Sequence, residues 1–209
     1  MDNFSQKNLM YDYNIEQIFL NKPVLLMIVG VAGSGKTTLG HELAKRISNS
    51  VFLSKDMLQD SFISTERRGN SLYEFIRGPT FDILLNFADV QLSHGKTPII
   101  EGPFSKNFQL KDRFADWPGH FRKIATDRNT QLLIIRCKPS SSDDLKERLK
   151  QRGFARDKSK LDGWDEWAAF EPIDFPIPHD NVYDLITDKP LNKLIDLVIE
   201  KISTLQPQQ

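Results

Sequence analysis

Apolar residues fall along this chain in two alternating rhythms. Val24 to Val29 is an unbroken apolar run, the pattern of a strand buried on both faces. Directly after a glycine-rich stretch, Leu39, Leu43 and Ile47 recur every four residues, the core stripe of a helix. The alternation then repeats. Val51–Ser54, Thr97–Glu101, Gln131–Cys137 and Val182–Thr187 read as four further strands. Between them, Ser71–Arg77 reads as a helix that Gly78-Pro79 interrupts, followed by a second helix to about Ser93 that Gly95 stops. The stretch from Phe104 to Thr130 is mixed, with Pro118-Gly119 as a breaker. Ser142 is placed to cap a helix that buries Leu145 and Leu149. Pro172–Pro178 holds three prolines and is extended, and Leu191, Leu194, Ile195, Val198 and Ile202 mark the closing helix. Tyr13, Gln17 and Leu20, with Ile18, fit a short helix on the outside. Strands alternating with helices predict a three-layer α/β sandwich around a parallel sheet, with ligands bound beyond the strands' C-terminal ends.

Composition narrows the function. The chain has 209 residues, enough for one domain, and 39% of them are hydrophobic, an ordinary share for a packed core. Its 28 basic and 28 acidic residues cancel, so no overall field favours a long nucleic acid. Cys137 has no second cysteine to pair with, which suits a reducing, cytoplasmic setting, and its place at the end of an apolar run makes it a packed strand residue. No segment has the length of a membrane span, and residues 1–22 lack the pattern of a signal peptide. They read as an N-terminal extension to a domain over 23–205. The four histidines show no metal-ligand spacing, and Gln206–Gln209 reads as a frayed tail.

The chemistry concentrates at strand ends. Gly30-Val31-Ala32-Gly33-Ser34-Gly35-Lys36-Thr37 fits G-x-x-x-x-G-K-[ST] at every fixed position, between a strand and a helix. Glycines let backbone N–H groups curl around a polyphosphate, and the helix N-terminus adds partial positive charge. Lys36 reaches the β- and γ-phosphates, and Thr37 offers a hydroxyl to Mg²⁺. Asp56, past the second strand, faces the γ-phosphate as an acceptor of the attacking hydroxyl's proton, or else begins a helix as its cap. Asp60, a turn further on, reads as solvated. Glu101, ending the third strand, holds a Mg²⁺-bound water, binds the acceptor, or makes a local salt bridge. Arg148, Arg152 and Arg156 recur every four residues, with Gly153 as a break, the arrangement of a phosphoryl-transfer lid at about 148–165. The alternative is a solvated basic face. Arg67, Arg68 and Arg77 are candidates for gripping an anionic acceptor. Trp164, Trp167 and Phe170 read as a packing stripe.

These motifs together resemble the phosphate-loop kinase group that includes nucleoside-monophosphate, gluconate and shikimate kinases. Within it they resemble the small ATP-binding kinase-like proteins grouped with polynucleotide 5′-kinases and zeta-type toxins. The resemblance runs from about Val24 to Ile202. It rests on GVAGSGKT, on Leu-Ser-Lys-Asp ending at Asp56, on Ile-Ile-Glu-Gly at Glu101 and on the arginine-rich run from Glu147 to Asp157. It implies a sheet of order 2-3-1-4-5, Mg·ATP as phosphoryl donor and a closing lid. Gly30 to Thr38, with Arg148 and Arg152, would bind the nucleotide, and Thr37 with Glu101 the metal. Lys36, Asp56 and Arg152 or Arg156 would be catalytic, and Asp56, Arg77 and Glu101 would face the acceptor. Met57 and Gln59 stand where polynucleotide kinases carry a second acid and an arginine. That favours a hydroxyl on a small molecule over a nucleotide or nucleic-acid 5′ end. An ATP-binding switch without transferase activity is the third alternative.

Overall fold

The computed structural model describes residues 16–62, 71–106 and 114–206. Five parallel strands, β1 (Val24–Val29), β2 (Ser50–Ser54), β3 (Thr97–Gly102), β4 (Gln131–Lys138) and β5 (Val182–Ile186), form one sheet of order β2-β3-β1-β4-β5. The helices are α1 (Lys36–Arg46), α2 (Lys55–Asp60), α3 (Ser71–Ser93), α4 (Trp117–Asp127), α5 (Ser142–Arg152), α6 (Lys158–Asp162), α7 (Trp164–Phe170) and α8 (Leu191–Ser203). A single 3₁₀ turn, Ala155–Asp157, joins α5 to α6.

The unbroken apolar run of β1 divides between two cores. Leu25, Met27 and Val29 face α3 and α4 with Phe81, Leu84, Phe104 and Phe121, while Val24, Leu26 and Ile28 face α1 and α8 with Leu39, Leu43 and Val198. A smaller third cluster joins Val31 of the glycine loop to Leu145 and Leu149 of α5 and Trp164 of α7. This cluster fixes the loop's position, because α5 packs directly on it. A Cβ at Gly33 would lie 2.9 Å from Leu149 Cδ2 and 3.0 Å from Leu145 Cδ1.

Four local readings are corrected. Gly78-Pro79 does not interrupt α3, which runs unbroken through Pro79. Ile76, Phe81, Leu84, Ala88 and Leu92 keep one continuous buried stripe across it, and the Thr80 hydroxyl donates to the Ile76 carbonyl. That packing outweighs the one bond proline removes. Pro118-Gly119 opens α4 instead of breaking a helix. Asp116 caps it by accepting from Gly119 N at 3.1 Å, and Pro118 sits in the first turn, where its missing N–H costs nothing. The cap of α5 is Ser141, not Ser142, with Asp144 N donating to its Oγ at 3.0 Å. Residues 16–20 form no helix but run through an isolated β-bridge. Ile18 bridges in parallel to Ile47, Leu20 is buried, and Phe19 between them is exposed, an alternation of period two. The Asn49 side chain closes both backbone bonds of Leu20. Tyr13, Arg67, Arg68 and residues 207–209 lie outside the described residues.

Candidate functional site

The loop between β1 and α1 is built on three glycines with positive φ: Gly30 at 150°, Gly33 at 84° and Gly35 at 87°. Side chains resist that backbone, and space forbids them as well. A Cβ at Gly30 would come within 2.6 Å of the Cys137 carbonyl oxygen. Gly35 is the N-cap of α1, with no side-chain cap and no acidic residue in the first turn. Among the described residues, the first N–H groups of α1 thus have no side-chain acceptor, and the fully buried Ser34 hydroxyl has no hydrogen-bond partner. Uncapped donors, a buried unpaired hydroxyl and a lysine in one glycine cradle fit a bound polyphosphate. Val31 and Ala32 form the loop's packed side. Thr37 and Thr38, by contrast, are exposed on the first turn of α1.

Lys36 is 7% exposed. Its Nζ donates to the Val31 carbonyl at 3.3 Å and lies 3.7 Å from Glu101 Oε1. Glu101 is 1% exposed on β3, where its Cα pairs with Ile28 on one side and Ser54 on the other. Its second oxygen accepts from Ser54 Oγ at 2.5 Å. The same Ser54 Oγ accepts from Met57 N and is the N-cap of α2. Asp56 is therefore not the cap; it sits in the first turn of α2, half-buried, where the helix dipole favours a carboxylate. Lys36, Glu101, Ser54 and the start of α2 with Asp56 thus form one linked group at the C-terminal end of the sheet.

The arginines lie on α5 and in the 3₁₀ turn that follows it. Arg148 donates to the side chain and carbonyl of Thr187, each at 3.0 Å, and pairs with Asp144. Thr187 lies against Gly35, so Arg148 stands beside the loop. Arg152 donates to Asp157 at 2.5 Å, and Lys160 donates to the other oxygen at 2.7 Å. Phe154 lies between Arg152 and Arg156, whose guanidinium carbons are 5.1 and 5.3 Å from its ring centre. Arg156 lies 3.6 Å from Asp60 at the far end of α2, and both side chains are about half exposed, so Asp60 is solvated as expected. Arg77 is half-buried on α3. Trp164 packs in the third core and Trp167 against it, whereas Phe170 is half exposed, with Lys106 over its ring.

Asp157 is fully buried. Burial alone would raise its carboxyl, but the hydrogen bonds from Arg152 and Lys160 outweigh burial and hold it below the ordinary aspartate value. A depressed folded value means that its stabilising effect is complete above the unfolded value of 3.8 and is lost as pH falls through the folded one. We expect Asp157→Asn to lower stability by about 1.5–3 kcal/mol at pH 7. The deficit should shrink below pH 3.8, as urea denaturation at the two acidities would measure. Cys137 is a packing residue, fully buried in the core beside Ile135 and Leu185, and burial pushes its thiol up to about 12.

Ser54 is the member of this arrangement that the sequence reading missed. Ser54 carried a usable signal: it is a serine three residues before Met57, at a strand-to-helix junction, as a capping residue should be. Among the described residues, no cluster of three or more His, Cys, Asp or Glu could hold a metal on its own. A surface cavity of about 240 Å³ at Lys22 to Val24, Thr130 and Gln131, and another of about 160 Å³ between α5 and α7, are not lined by the loop.

Sheet order, glycine loop and buried lysine define a phosphate-loop fold of the small-kinase type. The chain belongs to the AAA domain family (AAA_33), whose pattern it matches over residues 25–172. It is 29% identical over 150 residues to a tRNA dimethylallyltransferase of Staphylococcus haemolyticus, a match covering 62% of this chain, and it spans only 44% of that protein's length. It is 22% identical over 188 residues to a guanylate kinase of Thermotoga maritima, covering 79% of this chain and 83% of that one. Its fold is similar to that of a gluconokinase from Sinorhizobium meliloti 1021, with a TM-score of 0.57, 18% identity, and coverage of 88% of this chain and 94% of that one. No described helix is long and apolar enough to cross a membrane.

Proposed function

We propose that this chain is an ATP-dependent phosphotransferase that moves the γ-phosphoryl group of ATP to a hydroxyl of a small molecule in the cytoplasm. The observation that carries the reading is the linked group itself. The lysine of an uncapped glycine cradle is paired to Glu101, which one hydroxyl joins to the helix bearing Asp56.

In this reading the loop from Gly30 to Thr38 binds the phosphates through its N–H groups, and Lys36 turns from Glu101 to phosphate oxygens. Thr37 and, through a water, Glu101 would hold Mg²⁺, which would neutralise phosphate charge. Asp56 accepts the proton of the acceptor hydroxyl. That oxygen forms the new bond to the γ-phosphorus as the bond to ADP breaks. Residues 148–165 act as the lid of a unit spanning 23–205. Arg148 and Arg152 hold the nucleotide, and Arg152 with Arg156 stabilises the charge in transfer. Arg77 and Glu101 help hold the acceptor.

The guanylate kinase likeness favours one second reading, with a nucleotide as acceptor. A single assay separates them. The protein is incubated with γ-labelled ATP, Mg²⁺ and a panel of sugars, polyols, hydroxy acids, nucleosides, nucleotides and 5′-hydroxyl oligonucleotides. The reading expects a labelled phosphate ester on a small alcohol. Label on a nucleotide or oligonucleotide alone would replace it, and ATP bound with no label transferred to any of the panel would reduce the chain to a nucleotide-binding module.

A further inference from the structure

We propose that Ser54 is a positioning residue, whose hydroxyl holds the Glu101 carboxylate away from Lys36 and in register with the helix that carries Asp56. The inference rests on the reading of Glu101 as the carboxylate on the metal side of the site.

Ser54 is 2% exposed and Glu101 1% exposed, so both side chains are shut off from bulk solvent. They are direct neighbours across the β2–β3 ladder. A carboxylate can only accept, so the 2.5 Å contact is a hydrogen bond donated by Ser54 to Glu101 Oε2. That fixes the hydroxyl's proton and leaves its lone pairs for Met57 N, which caps α2. One hydroxyl therefore ties together β2, β3 and α2.

The consequence falls on Glu101 Oε1. Among the described residues it has no hydrogen-bond partner, and Lys36 Nζ, at 3.7 Å, is well beyond the roughly 2.7–2.9 Å of a charge-assisted hydrogen bond. With Oε2 anchored to Ser54, the carboxylate is held at ion-pair distance from the ammonium without a hydrogen bond to it. Lys36 stays available to phosphate, and Oε1 stays available to a metal-bound water. Without the hydroxyl, Glu101 would satisfy itself on Lys36, and both groups would be withdrawn from the site.

The test titrates Mn²⁺, observed by electron paramagnetic resonance, into the full chain with the non-hydrolysable analogue AMP-PNP. Ser54→Ala should weaken Mn²⁺ binding by about 10-fold or more, the usual scale for losing a residue that orients a metal-side group. Ser54→Thr, which keeps the hydroxyl, should restore it. In a Glu101→Gln background, Ser54→Ala should weaken Mn²⁺ no further, because its effect runs through Glu101. A fall in thermal midpoint with Mn²⁺ affinity unchanged would reduce Ser54 to a helix cap and overturn the proposal. So would additive losses in the double variant. Should Ser54→Ala fail to fold, the comparison of Ser54→Thr with wild type decides: threonine with markedly weaker Mn²⁺ binding overturns the proposal. If Glu101→Gln itself binds Mn²⁺ as wild type does, the metal role of Glu101 falls and the Ser54 proposal falls with it. If Glu101→Gln loses Mn²⁺ but Ser54→Ala does not, only the Ser54 proposal fails.

Discussion

Asp56→Asn is expected to lower phosphoryl transfer by ~10²–10⁴-fold, the range for removing a positioned general base, while leaving nucleotide affinity nearly unchanged. The structure makes this substitution unusually clean. Ser54, not Asp56, caps α2, so the helix keeps its start when the carboxylate becomes an amide. The charge removed from the first turn of α2 is itself worth about 0.3–1 kcal/mol, small against a hundredfold loss of rate. The measurement is kcat and KM for ATP, beside the dissociation constant of AMP-PNP. A nucleotide affinity that collapses while transfer per bound ATP persists would make Asp56 a structural or metal-side residue.

The second large effect lies at Lys36. Lys36→Met keeps the apolar stem in its buried place and removes the charge, and transfer should fall by ~10²–10³-fold, as for loss of one preorganised transition-state donor. Stability should fall as well. Glu101 would keep Ser54 but lose its cation, and breaking a buried ion pair typically costs about 3–5 kcal/mol. The two effects separate in a Lys36→Met, Glu101→Gln double variant, in which the orphaned charge is gone. Stability should largely return, and activity should not. If activity returned with stability, Lys36 would be holding the fold together and contributing nothing further.

Much of this arrangement was legible before any coordinates. The run from Val24 to Val29 is apolar throughout because alternate residues serve opposite cores, and such a strand has a pattern no surface element shares. The glycine loop was legible because positive φ at three positions admits little but glycine. Strand ends then placed Lys36, Asp56 and Glu101 on one edge. What could not be read was pairing across elements. That Ser54 bonds Glu101 and that Asp60 meets Arg156 depends on chain segments brought together only by the sheet order and by the turn after Gly153. Proline misled for a related reason. At Pro79 and Pro118 the local penalty was real, but a continuous buried stripe in one case and a first-turn position in the other removed its consequence. Residues 16–20 were misread because a few apolar residues fit both a helix and a strand, and the bridge of Ile18 to Ile47 decided between them.

The central claim is that the loop from Gly30 to Thr37 is a phosphate cradle, whose lysine exchanges Glu101 for ATP. The most direct measurement is a crystal structure with AMP-PNP and Mg²⁺. The account predicts the phosphates seated among the loop's N–H groups, with Lys36 Nζ within hydrogen-bond distance of their oxygens and drawn off the Val31 carbonyl that it touches at 3.3 Å here. A nucleotide bound elsewhere, with Lys36 still lodged between Val31 and Glu101 at saturating ligand, would contradict it.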